Sequence, residues 1–390
     1  MVDADDPNYY EVFSLHPSLF DGCCIFRRKK EMKLAILTSS ILTLSSLCLA
    51  QPAVDGTVDT AYGAPNAVQN TQTGFGNSDL GMPDFANGSE IDAGYAVIDN
   101  GHLYIMLSGN LESVFNKIDI FIDARDGGQN TLRADNPDVD FGGLNRMGDD
   151  GTGNGLTFDA GFGADMWVSL TCGGKEFTTY ASYAELHTEG AGFGMYIGQG
   201  ASGADGAIYG KSGMILAIDN SNVGGVGYGE GVGCGEGATT GIEVAIPLNL
   251  FDWDGSAGDI TSANICAFIN NGGHDYMSNQ VIGGLSGSPN LGDPRNVNFD
   301  LITGDQFFAI GGTALPCPDP SGACCFDTDC NDLTEADCLA LGGVYNGDGS
   351  FCNTEPSPCA PEPCEGDTNG DGVVDVADVL TVIANWGCTQ

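Results

Sequence analysis

From about residue 90 to residue 310 the chain alternates short hydrophobic runs with clusters of Gly, Asn and Asp. The runs are Tyr95 to Asp99, Leu103 to Leu107, Ile118 to Asp123, Met166 to Leu170, Phe177 to Tyr180, Met214 to Ile218, Ile242 to Ile246, Ile265 to Ile269, Val297 to Leu301 and Gln306 to Ile310. They are short, rich in β-branched and aromatic side chains, and bounded by turn formers, which predicts strands rather than helices. In Ile118-Asp119-Ile120-Phe121-Ile122-Asp123 and Ile242-Glu243-Val244-Ala245-Ile246 one face is aliphatic and the other more polar, as half-buried antiparallel strands require. The pattern predicts a mainly β fold, an antiparallel β-sandwich of jelly-roll type, over residues 51–316.

After Pro316 the rhythm changes. Residues 317–359 crowd cysteines together, and the six from Cys324 to Cys359 read as a disulfide-rich module too small to hold itself by a hydrophobic core. Zinc is the rival reading, but the stretch has no Cys-x-x-Cys pair. Thr334 to Leu341 predicts a short helix ending at Gly342-Gly343, and Pro356, Pro358, Pro361 and Pro363 make a stiff spacer.

Residues 360–390 carry the most specific spacing in the chain. Asp367, Asn369, Asp371, Asp375 and Asp378 place side-chain oxygens at positions 1, 3, 5, 9 and 12 of a twelve-residue loop, Val373 offers its carbonyl at position 7, and Gly372 takes the sharp turn at position 6. Hard oxygens in that order predict Ca²⁺ binding, with Asp378 a shorter carboxylate than the usual glutamate. Val376, Val379, Leu380, Ile383 and Trp386 then recur every three or four residues, one apolar stripe of a helix, with Gly387 as its C-cap. This loop and helix, about residues 364–388, resemble one repeat of a dockerin, which implies docking on a cohesin-like protein. Dockerins carry two such repeats and this chain has one. The pair Cys364 and Cys388 brackets the unit, and a bridge between them would close it covalently.

Composition places the protein. A hydrophobic content of 42% supports a substantial core. Twelve basic against 53 acidic residues give a net charge of -41, which repels phosphate backbones and anionic membranes and excludes nucleic acid as a partner. Arg27-Arg28-Lys29-Lys30 and Lys33, the apolar stretch Leu34 to Leu47, and Cys48-Leu49-Ala50 before Gln51 form a secretion leader, with a signal peptide at about residues 32–50. A start at Met32 makes residues 1–31 an upstream extension. No stretch reaches the ~20 apolar residues of a membrane-spanning helix. Removing Cys23, Cys24 and Cys48 with the leader leaves 12 cysteines, an even number suited to an oxidising exterior. Three of these, Cys172, Cys234 and Cys266, lie in the main domain, so either one thiol stays unbridged or a bridge runs to Cys317.

Ala53-Val54-Asp55-Gly56-Thr57-Val58-Asp59, Leu103-Tyr104-Ile105, Asp119-Ile120-Phe121-Ile122-Asp123 and Glu243-Val244-Ala245-Ile246-Pro247-Leu248, in that order, resemble the family 9 carbohydrate-binding modules and their relatives. The resemblance implies a β-sandwich and a sugar ligand. Trp253, in the turn-like Phe251-Asp252-Trp253-Asp254-Gly255, is the candidate stacking platform, while Trp167 sits in a strand pattern and reads as core. Asp135, Asp138, Asp140, Asp149 and Asp150 form a second acidic region, either a solvated loop or another Ca²⁺ site. Catalytic motifs are absent, and His102, His187 and His274 have no partner close in sequence. The expectation is a secreted, calcium-binding surface or matrix protein that binds extracellular polysaccharide or a cell-surface component. A glycoside hydrolase on the same tag and a purely structural surface protein are the alternatives.

Overall fold

The computed structural model describes residues 51–76, 88–174, 177–203, 206–229, 231–317, 321–347, 350–352, 354, 357–360, 366–368 and 373–386. The leader lies outside the described residues. In chain order the strands of the main domain are β1 (Ala67–Val68), β2 (Glu90–Asp99), β3 (His102–Asn110), β4 (Val114–Asp123), β5 (Met166–Gly173), β6 (Thr178–Glu185), β7 (Gly194–Gly200), β8 (Ile208–Tyr209), β9 (Ile215–Ile218), β10 (Gly241–Pro247), β11 (Asn264–Asn270), β12 (Met277–Val281) and β13 (Phe308–Ala309). They form two antiparallel sheets, in the orders β1-β2-β3-β10-β9-β8 and β12-β11-β4-β5-β6-β7, with β13 paired to β11. The predicted sandwich is present.

Local chemistry explains the hairpins. Asn100 and Gly101, both at positive φ, connect β2 to β3 with Asp99 opposite His102, a two-residue turn whose twist matches the strands it joins. Between the sheets, Leu103, Ile105 and Leu107 of β3, Ile118, Ile120 and Ile122 of β4, and Ile242, Val244 and Ile246 of β10 interdigitate in one core. Burial of each such side chain is worth about 1.5–3 kcal/mol. On the outside of the first sheet, the N-terminal segment packs Tyr62 against Tyr95, and Glu243 holds it by accepting from the Tyr62 hydroxyl (2.7 Å) and the Asp55 and Gly56 amides.

The second sheet is covered on its outer face too. The 124–165 connection between β4 and β5 folds over it and buries Leu132, Leu144, Phe158 and Phe162 against Phe121, Trp167 and Phe268. Within that connection lies the helical turn α1 (Gly143–Arg146).

Several expectations are corrected. Val297 to Leu301 is not a strand: Asn298 accepts from the Asp300 amide and starts a 3-10 turn over Phe299–Leu301, with Phe299 buried in the outer cluster. Gln306 to Ile310 contributes only the two residues of β13. Strand β7 was hidden by its glycines, and β12 by its polar side chains. Ser278, Asn279 and Gln280 are nevertheless buried, because Asn279 and Gln280 donate to the carbonyls of Gln72 and Thr71.

The cysteine-rich module has a sheet of its own, β14 (Ser321–Phe326), β15 (Asp329–Thr334) and β16 (Val344–Tyr345), beside helix α2 (Glu335–Ala340). The predicted short helix is present, and Thr334 lies just before it as its cap, accepting from the Asp337 amide. Cys324–Cys338, Cys325–Cys359 and Cys330–Cys352 are bridged, so these sulfurs are not zinc ligands. A fourth bridge, Cys234–Cys317, is the second of the two alternatives and ties the end of the sandwich to its middle, while Cys266 stays a buried thiol outside any disulfide. It spans 83 residues, for which the chain-entropy argument gives about 4.5 kcal/mol. The double variant Cys234→Ala/Cys317→Ala should therefore melt well below the wild type in a thermal scan; equal melting would show that the bridge adds nothing. Among the described residues no helix is long and apolar enough to cross a membrane.

Candidate functional site

The outer covering of the second sheet stops short of its β5–β7 end, and the uncovered part forms a groove of about 650 Å³. Strand alternation supplies its floor. With Ile118, Val168, Leu170 and Ala181 turned to the core, the opposite face presents two cross-strand rows. Lys117 stands opposite Thr171 and Thr171 opposite Tyr180, while Ser169 stands opposite Ser182 and Ser182 opposite Tyr196. The walls are aromatic: Phe115 is 47% exposed, Tyr196 52% and Phe141 97%. The Ser169 hydroxyl on the floor is buried and has no hydrogen-bond partner.

One wall, residues 138–141, is held by a charge network beneath it. His274 lies between two carboxylates, with Nδ1 3.1 Å from Asp119 and Nε2 2.8 Å from Asp140. Lys117 Nζ donates to the same Asp140 oxygen at 2.7 Å, and Trp167 Nε1 donates to Asp119 at 3.0 Å. Both ring nitrogens of His274 must be donors, so the ring is an imidazolium. Burial opposes that charge, but the flanking carboxylates outweigh it and push the His274 pKa up to about 9. For Asp140, burial is likewise outweighed by His274 and Lys117, and its pKa falls to about 2. Two positive and two negative groups close on themselves.

Backbone strain marks the same place. Phe115, Asp140, Phe141 and His274 all adopt positive φ, from 47° to 69°. Non-glycine residues persist there only where surrounding contacts over-determine them. Gly143 packs so closely on the imidazole that a Cβ would lie 2.2 Å from His274 Cδ2.

Three carboxylates of the second acidic region have protein partners of their own. Asp140 belongs to the network, Asp135 pairs with Arg133, and Asp149 accepts from the amides of Gly151 and Gly153. Trp253 lies away from the groove, half-buried, with the Arg125 guanidinium 4.2 Å from its ring centre and the His187 ring stacked at 4.8 Å. Trp167 is fully buried, as its strand pattern predicts.

At the C-terminus, helix α3 (Val376–Ala384) follows the predicted loop. Asp375 caps it by accepting from the Ala377 amide, while Asp378 turns back to accept from the amides of Asp375 and Thr368, both at 2.7 Å. Position 12 is therefore already folded onto position 2. Asp367 and Val373 are described, and Val373 is exposed. Asn369, Asp371, Gly372, Cys364 and Cys388 lie outside the described residues. The apolar stripe faces solvent: Val376 is 70% exposed, Val379 56%, Leu380 59%, Ile383 59% and Trp386 82%.

Sequence reasoning missed Lys117, Asp119 and the aromatic walls, and it named Asp140 only within an acidic region and His274 only as a histidine without a partner close in sequence. One signal was available, since Lys117 and Asp119 put opposite charges at alternate positions of an otherwise aliphatic strand, on the face away from the core. Comparison of the chain with protein-family models, curated proteins and solved structures gives no significant match.

Proposed function

We propose that this is an extracellular attachment protein: the sandwich binds polysaccharide in the β4–β7 groove, and the C-terminal loop and helix take up Ca²⁺ and fix the protein to a cohesin-like or cell-surface partner. The observation that carries the reading is the groove itself. Its aromatic rims and hydroxyl-bearing floor match a sugar ring, which stacks its apolar face and hydrogen-bonds at its edges. A net charge of -41 favours neutral glycans over acidic ones.

For the C-terminus, the donor set supports calcium. Asp367, Asp375, Asp378 and the Val373 carbonyl are hard oxygens suited to that ion, with Asn369 and Asp371 completing the set in sequence. The solvent-facing stripe on α3 supports attachment, because a helix leaves a continuous apolar face exposed where a partner covers it. Disulfides suit an oxidising exterior. A glycan array with the full chain in Ca²⁺ tests the sugar reading: binding to neutral β- or α-linked polysaccharide is expected, and no binding to any glycan removes it.

A further inference from the structure

We infer that the ends of β2 and β3 hold a structural calcium site within the sandwich, with Glu90, Asp92 and Asn110 as ligands. It is separate from both the groove and the C-terminal loop. Glu90 and Asp92 are 1% and 0% exposed, and among the described residues neither is ion-paired. Two carboxylates taken out of water without a counter-charge are among the most expensive groups a fold can bury.

The local structure aims them together. Glu90 stands directly opposite Asn110 in the β2–β3 ladder, and the register shifts between Ile91 and Ala93, so Asp92 is the extra residue of a bulge. Bulges re-aim side chains, and here the carboxylate turns to the 222–226 loop. It accepts from the Val226 amide at 2.6 Å and from Asn222 Nδ2 at 2.7 Å. Gly225 makes that approach possible, since a Cβ there would lie 1.9 Å from Asp92 Oδ1.

What remains unbonded points to an ion. Glu90 Oε1 accepts from the side-chain amides of Asn110 (3.1 Å) and Asn222 (3.4 Å), but Glu90 Oε2 is sealed from solvent with no partner. Asn110 donates that one amide to Glu90 and to the Asn222 carbonyl, and its own Oδ1 is sealed and partnerless as well. The amide donors already engage the other oxygens, so these two buried acceptors lack a positive partner, which a cation supplies. The set is all oxygen, without imidazole or thiolate, which selects a hard cation. Ligands drawn from two strands and a bulge give irregular geometry, which calcium accepts and magnesium, with its strict octahedron, does not.

The test uses the full chain carrying Asp371→Ala, which disables the C-terminal loop. After chelation and return to Ca²⁺, metal analysis should find one calcium per chain. The thermal midpoint should rise by ~5 °C or more at saturating Ca²⁺. Adding Glu90→Gln and Asp92→Asn should abolish both the ion and the shift, and Asn110→Ala should weaken binding at least ~10-fold, the loss of one charge-assisted ligand. If the carboxylate variant does not fold, the Asp371→Ala chain decides alone. No bound calcium and an unchanged midpoint in chelator overturn the site, because they mean that the carboxylates are held by shared protons. An ion that survives Glu90→Gln/Asp92→Asn overturns it equally.

Discussion

Replacing His274 with alanine should destabilise the protein by about 3–5 kcal/mol, a drop of roughly 10 °C in melting temperature, although the residue touches no ligand. The imidazolium is 1% exposed and is the only described cation within bonding distance of Asp119, which is itself fully buried. Removing it leaves Asp119 charged in a dry site with the amide of Asn270 and the indole of Trp167 as partners. Asp140 keeps Lys117, so the loss falls mainly on the inner carboxylate. The pH dependence has a definite sign. The folded-state pKa of about 9 stands above the ordinary 6.5, so the stabilisation is complete below about pH 6.5 and is lost as pH rises through 9. Asp140, lowered from 3.8 to about 2, keeps its contribution above pH 3.8 and loses it as pH falls through 2. Thermal scans should show the wild type declining between pH 7 and 10 and His274→Gln declining less. Equal melting of His274→Ala and wild type at pH 6 would contradict the network.

The second large effect is expected at the other end of the chain. Asp378→Ala should abolish the calcium-induced rise in helix content and weaken Ca²⁺ binding by ~10–100-fold, the equivalent of one lost charged ligand. Asp378 serves two masters in one geometry. It is buried, its two oxygens close the loop on Thr368 and Asp375, and it forms the capping box at the start of α3. Losing the box alone is worth about 1 kcal/mol of helix stability. On the proposed calcium reading, losing the carboxylate also removes the ligand at position 12, and binding and folding of a negative loop are coupled. Calorimetric titration with circular dichroism measures both. Unchanged heats from Asp367→Ala and Asp371→Ala would remove calcium from the account altogether.

What was legible follows from what is local. The sandwich strands could be read because Ile118, Ile120 and Ile122 or Ile242, Val244 and Ile246 alternate at the period of a strand. Helix α2 and the stripe of α3 could be read from residues close in sequence, though not the caps Thr334 and Asp375 that start them. The groove could not. Its wall hangs on a contact between Asp119 and His274, 155 residues apart, and on the 124–165 connection, whose Leu132, Leu144, Phe158 and Phe162 follow no period. Polar strand β12 was invisible for a similar reason, since its burial depends on carbonyls of Thr71 and Gln72 some 200 residues earlier. Trp253 drew attention as a turn tryptophan, yet Arg125 and His187 already lie against its ring. An aromatic residue's availability is set by distant partners.

The groove is the central claim, and one comparison tests it most directly. An oligosaccharide selected on the array is titrated calorimetrically into the wild type, Tyr196→Ala and Trp253→Ala. Loss of one stacking ring is worth about 1.5 kcal/mol, so Tyr196→Ala should bind at least ~10-fold more weakly while Trp253→Ala binds as the wild type does. The reverse pattern, with Tyr196→Ala unchanged and Trp253→Ala impaired, would contradict the groove and place the sugar on the Trp253 turn.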